Sequence, residues 1–455
     1  MPVSRYSTPR FNPYGDDAPL GSAGDWEAPR AQGPLDATVS LPGSKSLTNR
    51  ELVLSALADG PSVLRAPLHS RDSDLMIEAL RSLGTGIDEV PGTGAFGADL
   101  VVTPATELLG STTIDCGLAG TVMRFLPPVA ALALGPTTFD GDAGARRRPM
   151  ATTISSLREL GVDIGDDGRR ALPFTVHGSG RVRGGELTID ASSSSQFVSG
   201  LLLSAARFES GLRLRHSGER LPSQPHIEMT LASLTARGVA AEVDAAAGGA
   251  GWSVTPGPIS AAEVAIEPDL SNAAPFLAAA LVAGGRVTIT GWPAVTTQVG
   301  ADLMSLLPLF GASVELDGDR LTVTGGDVIR GMEIDLSTGG ELAPPLVALA
   351  ALAESPSEIT GIGHIRHHET DRLAALAAEI NGLGGEVEEL PDGLRITPRP
   401  LHGGVWHSYE DHRMATAGAL VGLAVDGVLV DDIGTTSKTL PQFPELWRAM
   451  LAGGA

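Results

Sequence analysis

Apolar and polar positions follow one recurring plan along this chain. A polar turn of small residues opens an apolar run at helical spacing, followed by a short β-branched stretch, a loop, a second helix and a further strand. The turns begin at Leu41 (LPGSKS), Asp115 (DCGLAGT), Asp190 (DASSSSQ), Glu267 (EPDLSNA), Asp335 (DLSTGGE) and Tyr409 (YEDHRMA), spaced by 74, 75, 77, 68 and 74 residues. The second helix of each of the first five copies closes at Gly84, Gly161, Gly238, Gly311 and Gly384, spaced by 77, 77, 73 and 73 residues. Glycine at such sites suits a left-handed helix cap. Two separate marker series with one period predict six copies of a strand–helix unit, the last running out near Met450. The units are too long for a solenoid and alternate strand with helix, which predicts an α/β fold with internal pseudo-symmetry. Three copies on each side of a break near Ala265 give two similar domains facing a cleft.

The ends and the composition restrict the partners. Residues 1–31 are rich in Pro, Gly, Asp, Ser and Arg without periodicity and are expected to form a disordered arm. No apolar core of a secretory signal lies between Met1 and Gly33, and Ala273–Ala283 and Pro344–Ala353 are too short to span a membrane. A soluble, cytoplasmic monomer is the expectation. With 32 basic and 54 acidic side chains the net charge is −22, which argues against nucleic acid and anionic membranes as partners. The single Cys116 excludes an internal disulfide framework and reads as a small buried hydrophobe.

Charge type then points to chemistry. Only two of the 32 basic residues are lysines, Lys45 in Gly43-Ser44-Lys45-Ser46 and Lys438 in Ser437-Lys438-Thr439. Both sit in small polar turns, where a compact cation suits phosphate or carboxylate. The glycine spacing around Lys45 does not fit a nucleotide-binding phosphate loop. Turns that open helices offer free N–H groups and a partial positive charge, so several facing one cleft would bind an anion inside an acidic protein. Ser194-Ser195-Gln196, after two further serines, exceeds what capping needs, whereas Ser271, Asn272 and Ser337 read as ordinary N-caps. Arg146-Arg147-Arg148 is compatible with anion binding. In His364-Ile-Arg-His367-His368-Glu369-Thr370-Asp371-Arg372, arginine stands where a zinc protease needs histidine, so acid–base work fits better than metal ligation.

Six of these segments match one family in order and spacing: Leu41–Arg50, Leu118–Arg124, Ser194–Gln196, His368–Arg372, Asp411–Met414 and Ser437–Thr439. Over residues 33–450 the chain resembles the 3-phosphoshikimate 1-carboxyvinyltransferase (EPSP synthase) family. The resemblance implies two domains, each of three βαβαββ units: residues 45–265, and residues 33–44 plus 266–455. The strand near Ala37–Leu41 would belong to the second domain. It implies transfer of the enolpyruvyl group of phosphoenolpyruvate to the 5-hydroxyl of shikimate 3-phosphate through a tetrahedral adduct, with no metal and no organic cofactor.

The residue roles also follow from the resemblance. Phosphoenolpyruvate would meet Lys45, Arg148, Arg372, Arg413, Lys438 and the backbone at Gly120, with Gln196 bridging the substrates. Shikimate 3-phosphate would meet Lys45, Ser46, Arg50, Ser194, Ser195 and Ser223, with Glu341, His364 and His368 beside its ring. Glu341 would take the 5-hydroxyl proton and Glu369 would protonate phosphoenolpyruvate, with Lys45 as the third catalytic residue. Four positions depart from the common pattern: Glu341 where Asp is frequent, His368 where Lys is usual, His364 where Asn is common, and Leu118 where Asn is frequent. A histidine at 368 predicts a pH dependence near neutrality, and glycine at 120 predicts sensitivity to glyphosate. Two rival readings are an enolpyruvyl transferase acting on a UDP-sugar and a non-catalytic phosphometabolite-binding protein. Cys116 lies outside the loop where the first would carry its cysteine, and the second has no use for both Glu341 and Glu369.

Overall fold

The computed structural model describes residues 25–244 and 250–453. Five four-stranded sheets and one three-stranded sheet are each backed by helices. One unit sets the pattern. Thr112–Asp115 pairs parallel with Leu134–Asp140, which pairs antiparallel with Phe174–Ser179, and that strand with Asp163–Gly165. Helices Gly120–Ala131 and Ala151–Glu159 fill the two connections, giving the expected βαβαββ order. The predicted glycine caps at 84, 161, 238, 311 and 384 all have positive φ, between 77° and 105°.

The first and fourth units exchange their opening strands. Leu35–Val39 pairs parallel with Gly285–Thr290, while Glu263–Ala265 pairs parallel with Ser62–Arg65. The chain therefore begins in the second half, crosses before Lys45 and returns after Ala265. Buried apolar side chains form two clusters: one spans Leu52 to Ile259, the other joins Ala28–Leu41 to Leu270–Met450.

The sixth unit corrects one expectation. Its own chain supplies only Gly404–Trp406 parallel to Val428–Val430, and the antiparallel place beside Val428–Val430 is taken by Trp26–Glu27. Ala28 is buried, its N–H donates to the Val428 carbonyl at 3.0 Å, and a Cβ on Gly422 would collide with its methyl group. The end of the expected disordered arm is thus laid down as an edge strand, because the truncated last unit leaves a strand with an open edge. Residues 1–24 of that arm lie outside the described residues.

The first helix of each unit packs in the middle of its half. All twelve residues of Gly120–Ala131 are buried, and Ala273–Ala283 is apolar almost all round, as helices covered on every side must be. Gly200 in Gln196–Ala205 lies against the Arg124 carbonyl, so any side chain there would push the two helices apart. No helix among the described residues is long and apolar enough to cross a membrane.

Candidate active site

Helix starts from both halves converge on one cleft. Lys45 and Ser46 begin Lys45–Ala56, Thr121 lies in the first turn of Gly120–Ala131, and Gln196 begins Gln196–Ala205. From the second half, Ser271 precedes Ala273–Ala283, Glu341 precedes Ala343–Ala351, and His412 with Arg413 begins His412–Gly422. Each start supplies N–H groups that no intrahelical carbonyl can take, and together they favour negative charge.

Three cations at the cleft are fixed by carboxylates. Lys45 Nζ stands 3.7 Å from Asp72, and its backbone N–H donates to Asp269 at 3.1 Å. Arg372 makes a bidentate pair with buried Asp411, at 2.7 and 3.1 Å, and a third bond to Glu369 at 2.9 Å. Lys438 Nζ pairs directly with Glu369 and reaches the Leu118 carbonyl of the other half at 3.2 Å. Burial pushes the Glu369 carboxyl up, but Lys438, Arg372 and Arg148 outweigh it and hold the group well below the usual carboxylate range. Burial pulls Lys438 below the ordinary lysine value, partly offset by Glu369.

A second carboxylate is assembled across the cleft. Glu341 accepts from Ser271 Oγ and lies 2.9 Å from Nε2 of His226, which belongs to the first half. Burial raises its pKa, yet His226, Arg413 and Ser271 together hold it well below the usual range. Arg50, buried against Phe125, donates to the His226 carbonyl and Thr230 Oγ1, both at 2.8 Å, and burial lowers it to about 10.

Gly120 lies directly behind residues that line the cleft. A Cβ there would stand 2.9 Å from Gln196 Oε1, 3.1 Å from Arg148 Nη2 and 3.2 Å from Arg124 Nη1. Gln196 Oε1 and the Nε atoms of Arg124 and Arg148 are buried without a hydrogen-bond partner among the described residues. Such atoms cost free energy unless a polar partner meets them, so this corner is built for a polar ligand.

Of the residues singled out in the sequence, Lys45, Ser46, Arg50, Arg148, Ser194 and Gln196 line the cleft from the first half. Glu341, His368, Glu369, Arg372 and Arg413 line it from the second. Lys438 stands just behind Glu369. Ser195 is buried under the turn, and Ser223, at φ 51°, gives its N–H to the Ser337 carbonyl at 3.2 Å. His364 is packed behind Gly340 and edge-on to His368, and burial lowers it to about 4.

Two expectations change here. Arg372 Nη1 lies 3.0 Å from His368 Nδ1, and burial together with that guanidinium keeps the imidazole neutral, its pKa well below 6.5. A titration of His368 near neutrality is therefore not expected. Ser271 and Asn272 are also more than caps: neither makes a side-chain capping bond, and they reach Glu341 and the Thr439 carbonyl. Sequence reasoning missed His226 and Asp269, and carried Arg124 and His412 only within the matched segments Leu118–Arg124 and Asp411–Met414; the one available signal for His226 was Pro225, which marks a helix start like the others. Cys116 is buried, and burial pushes its thiol up, away from reactivity. No cluster of His, Cys, Asp or Glu among the described residues is arranged to hold a metal ion.

With this geometry in hand, comparison with known proteins is specific. Residues 29–447 match the family model of EPSP synthase (3-phosphoshikimate 1-carboxyvinyltransferase). A 3-phosphoshikimate 1-carboxyvinyltransferase of Kocuria rhizophila is 56% identical over 432 residues, covering 94% of this chain and 96% of that protein. Two structures of EPSP synthase from Acinetobacter baumannii, one at 2.37 Å, superpose with a TM-score of 0.74 at 21% and 20% identity. Each covers 92% of this chain, which makes them similar in fold.

Proposed function

We propose a division of labour in this cleft from the premise that the chain belongs to the EPSP synthase family. The reaction transfers the enolpyruvyl group of phosphoenolpyruvate to the 5-hydroxyl of shikimate 3-phosphate and releases phosphate, a step of the shikimate pathway to aromatic compounds.

Glu369 is the proton donor. Ionised between Lys438 and Arg372, it cannot donate. Phosphoenolpyruvate brings a phosphate and a carboxylate that compete for those cations, and once they are engaged the burial of Glu369 favours its protonated form. The proton goes to the methylene carbon, C2 becomes electrophilic, and the 5-hydroxyl oxygen bonds to C2 as Glu341 accepts its proton. The adduct then returns a methyl proton to the Glu369 carboxylate as the C2–O bond to phosphate breaks, and Glu341 gives its proton to the leaving phosphate. Arg148, Arg372, Arg413, Lys45 and Lys438, with the helix starts, stabilise the charge that develops on the phosphate. Gly120 leaves room for this ligand, and Gln196 spans both substrates. Ser46, Arg50, Ser194, Ser195 and Ser223 serve the shikimate phosphate and ring, with His364 and His368 behind.

Residues 45–265 and residues 33–44 plus 266–455 are the two domains in this reading, and closure brings Glu341, Glu369 and both lysines onto one pair of substrates. The acting unit is a monomer in the cytoplasm, since both halves of the site come from one chain. The convergence of two buried carboxylates with five cations supports the reading. Single-turnover chemistry on Glu369→Gln tests it. Adduct formation should slow by about 10²–10⁴-fold with both substrates still bound, whereas adduct formation at the wild-type rate would remove Glu369 from the role of donor.

A further inference from the structure

We propose that His226 is a positioning residue for this reaction, holding the Glu341 carboxylate across the cleft in the orientation from which it takes the 5-hydroxyl proton. The inference rests on the reading of Glu341 as the base. The contact joins the two halves: His226 comes from the helix Pro225–Ala236 and Glu341 from the turn before Ala343–Ala351, and Nε2 and Oε2 are 2.9 Å apart. Both side chains are mostly buried, 15% and 20% exposed, so solvent does little to screen the pair.

The histidine is itself held. Its carbonyl takes hydrogen bonds from Arg50 at 2.8 Å, Thr230 at 2.9 Å and Ser199 at 3.3 Å, which fixes the backbone that carries the ring. Ser271 fixes the other oxygen of Glu341. The carboxylate thus has two donors on the protein, one per oxygen, from opposite walls of the cleft.

Such a base has a handicap. The groups around it favour its ionised form, and a carboxylate stabilised that strongly takes a proton from an alcohol poorly. The charged groups facing the pair are Arg50 on the helix behind His226, Arg413 and Asp269 on the second half, and Arg372 and His364 beyond Glu341. The arginines are fixed charges in the working range. Orientation offsets the handicap: the ring's hydrogen bond aims the carboxylate at the place the alcohol must occupy. Because the partners sit on different halves, the base acquires its full setting only when the halves meet.

Steady-state kinetics on wild type, His226→Gln, His226→Ala and Glu341→Gln test this. His226→Gln keeps a donor to the carboxylate, so its kcat should stay within about threefold of wild type. His226→Ala loses the donor, and kcat should fall by roughly 10- to 100-fold, the scale of one hydrogen bond to a charged group, with KM for phosphoenolpyruvate unchanged. A fall of more than about 10-fold in the kcat of folded His226→Gln overturns the proposal, even if His226→Ala fails to fold. If Glu341→Gln turns over normally, the base reading itself fails. If Glu341→Gln is inactive but both His226 variants match wild type, only the role of His226 falls.

Discussion

Gly120→Ala separates room for the ligand from stability of the fold. Gly120 is the first residue of its helix and its φ is not positive, so alanine meets no backbone strain there. Alanine is also the better helix former, by about 0.5–1 kcal/mol in a helix interior, so thermal stability should hold or rise slightly. The added methyl carbon, however, would sit 2.9 Å from Gln196 Oε1, 3.1 Å from Arg148 Nη2 and 3.2 Å from Arg124 Nη1, against roughly 3.5–4.0 Å for a relaxed contact. Gln196 Oε1 must retreat by about half an ångström or more and the two guanidinium nitrogens by a few tenths. All three belong to flexible side chains, so the fold survives and the binding corner is what changes. Weakening one charge-assisted hydrogen bond by about 1–2 kcal/mol gives about a 5- to 30-fold rise in KM for phosphoenolpyruvate. KM for shikimate 3-phosphate should move far less. Glyphosate, expected to inhibit the wild type competitively against phosphoenolpyruvate, should lose at least as much affinity. The assay is phosphate release with each substrate varied in turn, beside a thermal melt. An unchanged KM for phosphoenolpyruvate, or a melting temperature several degrees lower, would refute the reasoning.

Further expectations follow from the same contacts. Arg237→Ala leaves the buried Glu51 carboxylate without its 2.8 Å partner and should cost about 3–5 kcal/mol in denaturant unfolding; a loss below about 1 kcal/mol would contradict a structural role for the pair. Glu341 and Glu369 both lie well below the ordinary value of 4.5, so their contribution to stability is complete above that pH and is lost as pH falls through their folded values. The melting-temperature gap between wild type and the Glu341→Gln/Glu369→Gln pair should then stay constant toward neutral pH and shrink only under acid; a gap that shrinks with rising pH has the wrong sign. His368→Lys should leave the shape of the turnover profile near neutrality unchanged, because the wild-type imidazole is already neutral there; a wild-type inflection that disappears in the variant would restore its titration. Removing residues 1–30 should lower the melting temperature by uncovering Val428–Val430, while kcat stays unchanged; an unaltered melt would mean the strand Trp26–Glu27 adds nothing.

What was legible in the sequence was what repeats locally. The five glycine caps and the six helix-opening turns recur because each unit solves the same backbone problem, and they located both the period and most of the cleft. The exchange of opening strands was implied by family resemblance and not by periodicity, since nothing within Leu35–Val39 names Gly285–Thr290 as its neighbour. Trp26–Glu27 escaped notice because a two-residue strand in Pro- and Gly-rich sequence carries no alternation, and its partner lies some 400 residues away. The same distance problem hid His226. A lone histidine gains meaning only when a carboxylate 115 residues later is brought to its ring. His368 was legible as a departure from the family pattern, but its charge depends on burial and on Arg372, which no local pattern contains.

The arrangement also explains how a chain of net charge −22 accommodates two anionic substrates. At physiological salt the reach of surface charge is about 8 Å, so the acidic exterior weighs little on a ligand already inside the cleft. Within it, the cations are neither free nor idle: Asp72, Asp411 and Glu369 hold Lys45, Arg372 and Lys438 in place. A buried cation without a partner would be costly or would lose its proton, and these carboxylates keep the field positive at fixed positions. They differ in one respect that matters for catalysis. Asp411 is doubly bonded to Arg372 and caps its own helix, so it stays when substrate arrives. In the proposed mechanism Glu369 shares its cations with the incoming anion, and the competition changes its protonation. On that proposal substrate binding and protonation of the acid are one event, which places the proton on the enzyme only when there is a double bond to receive it.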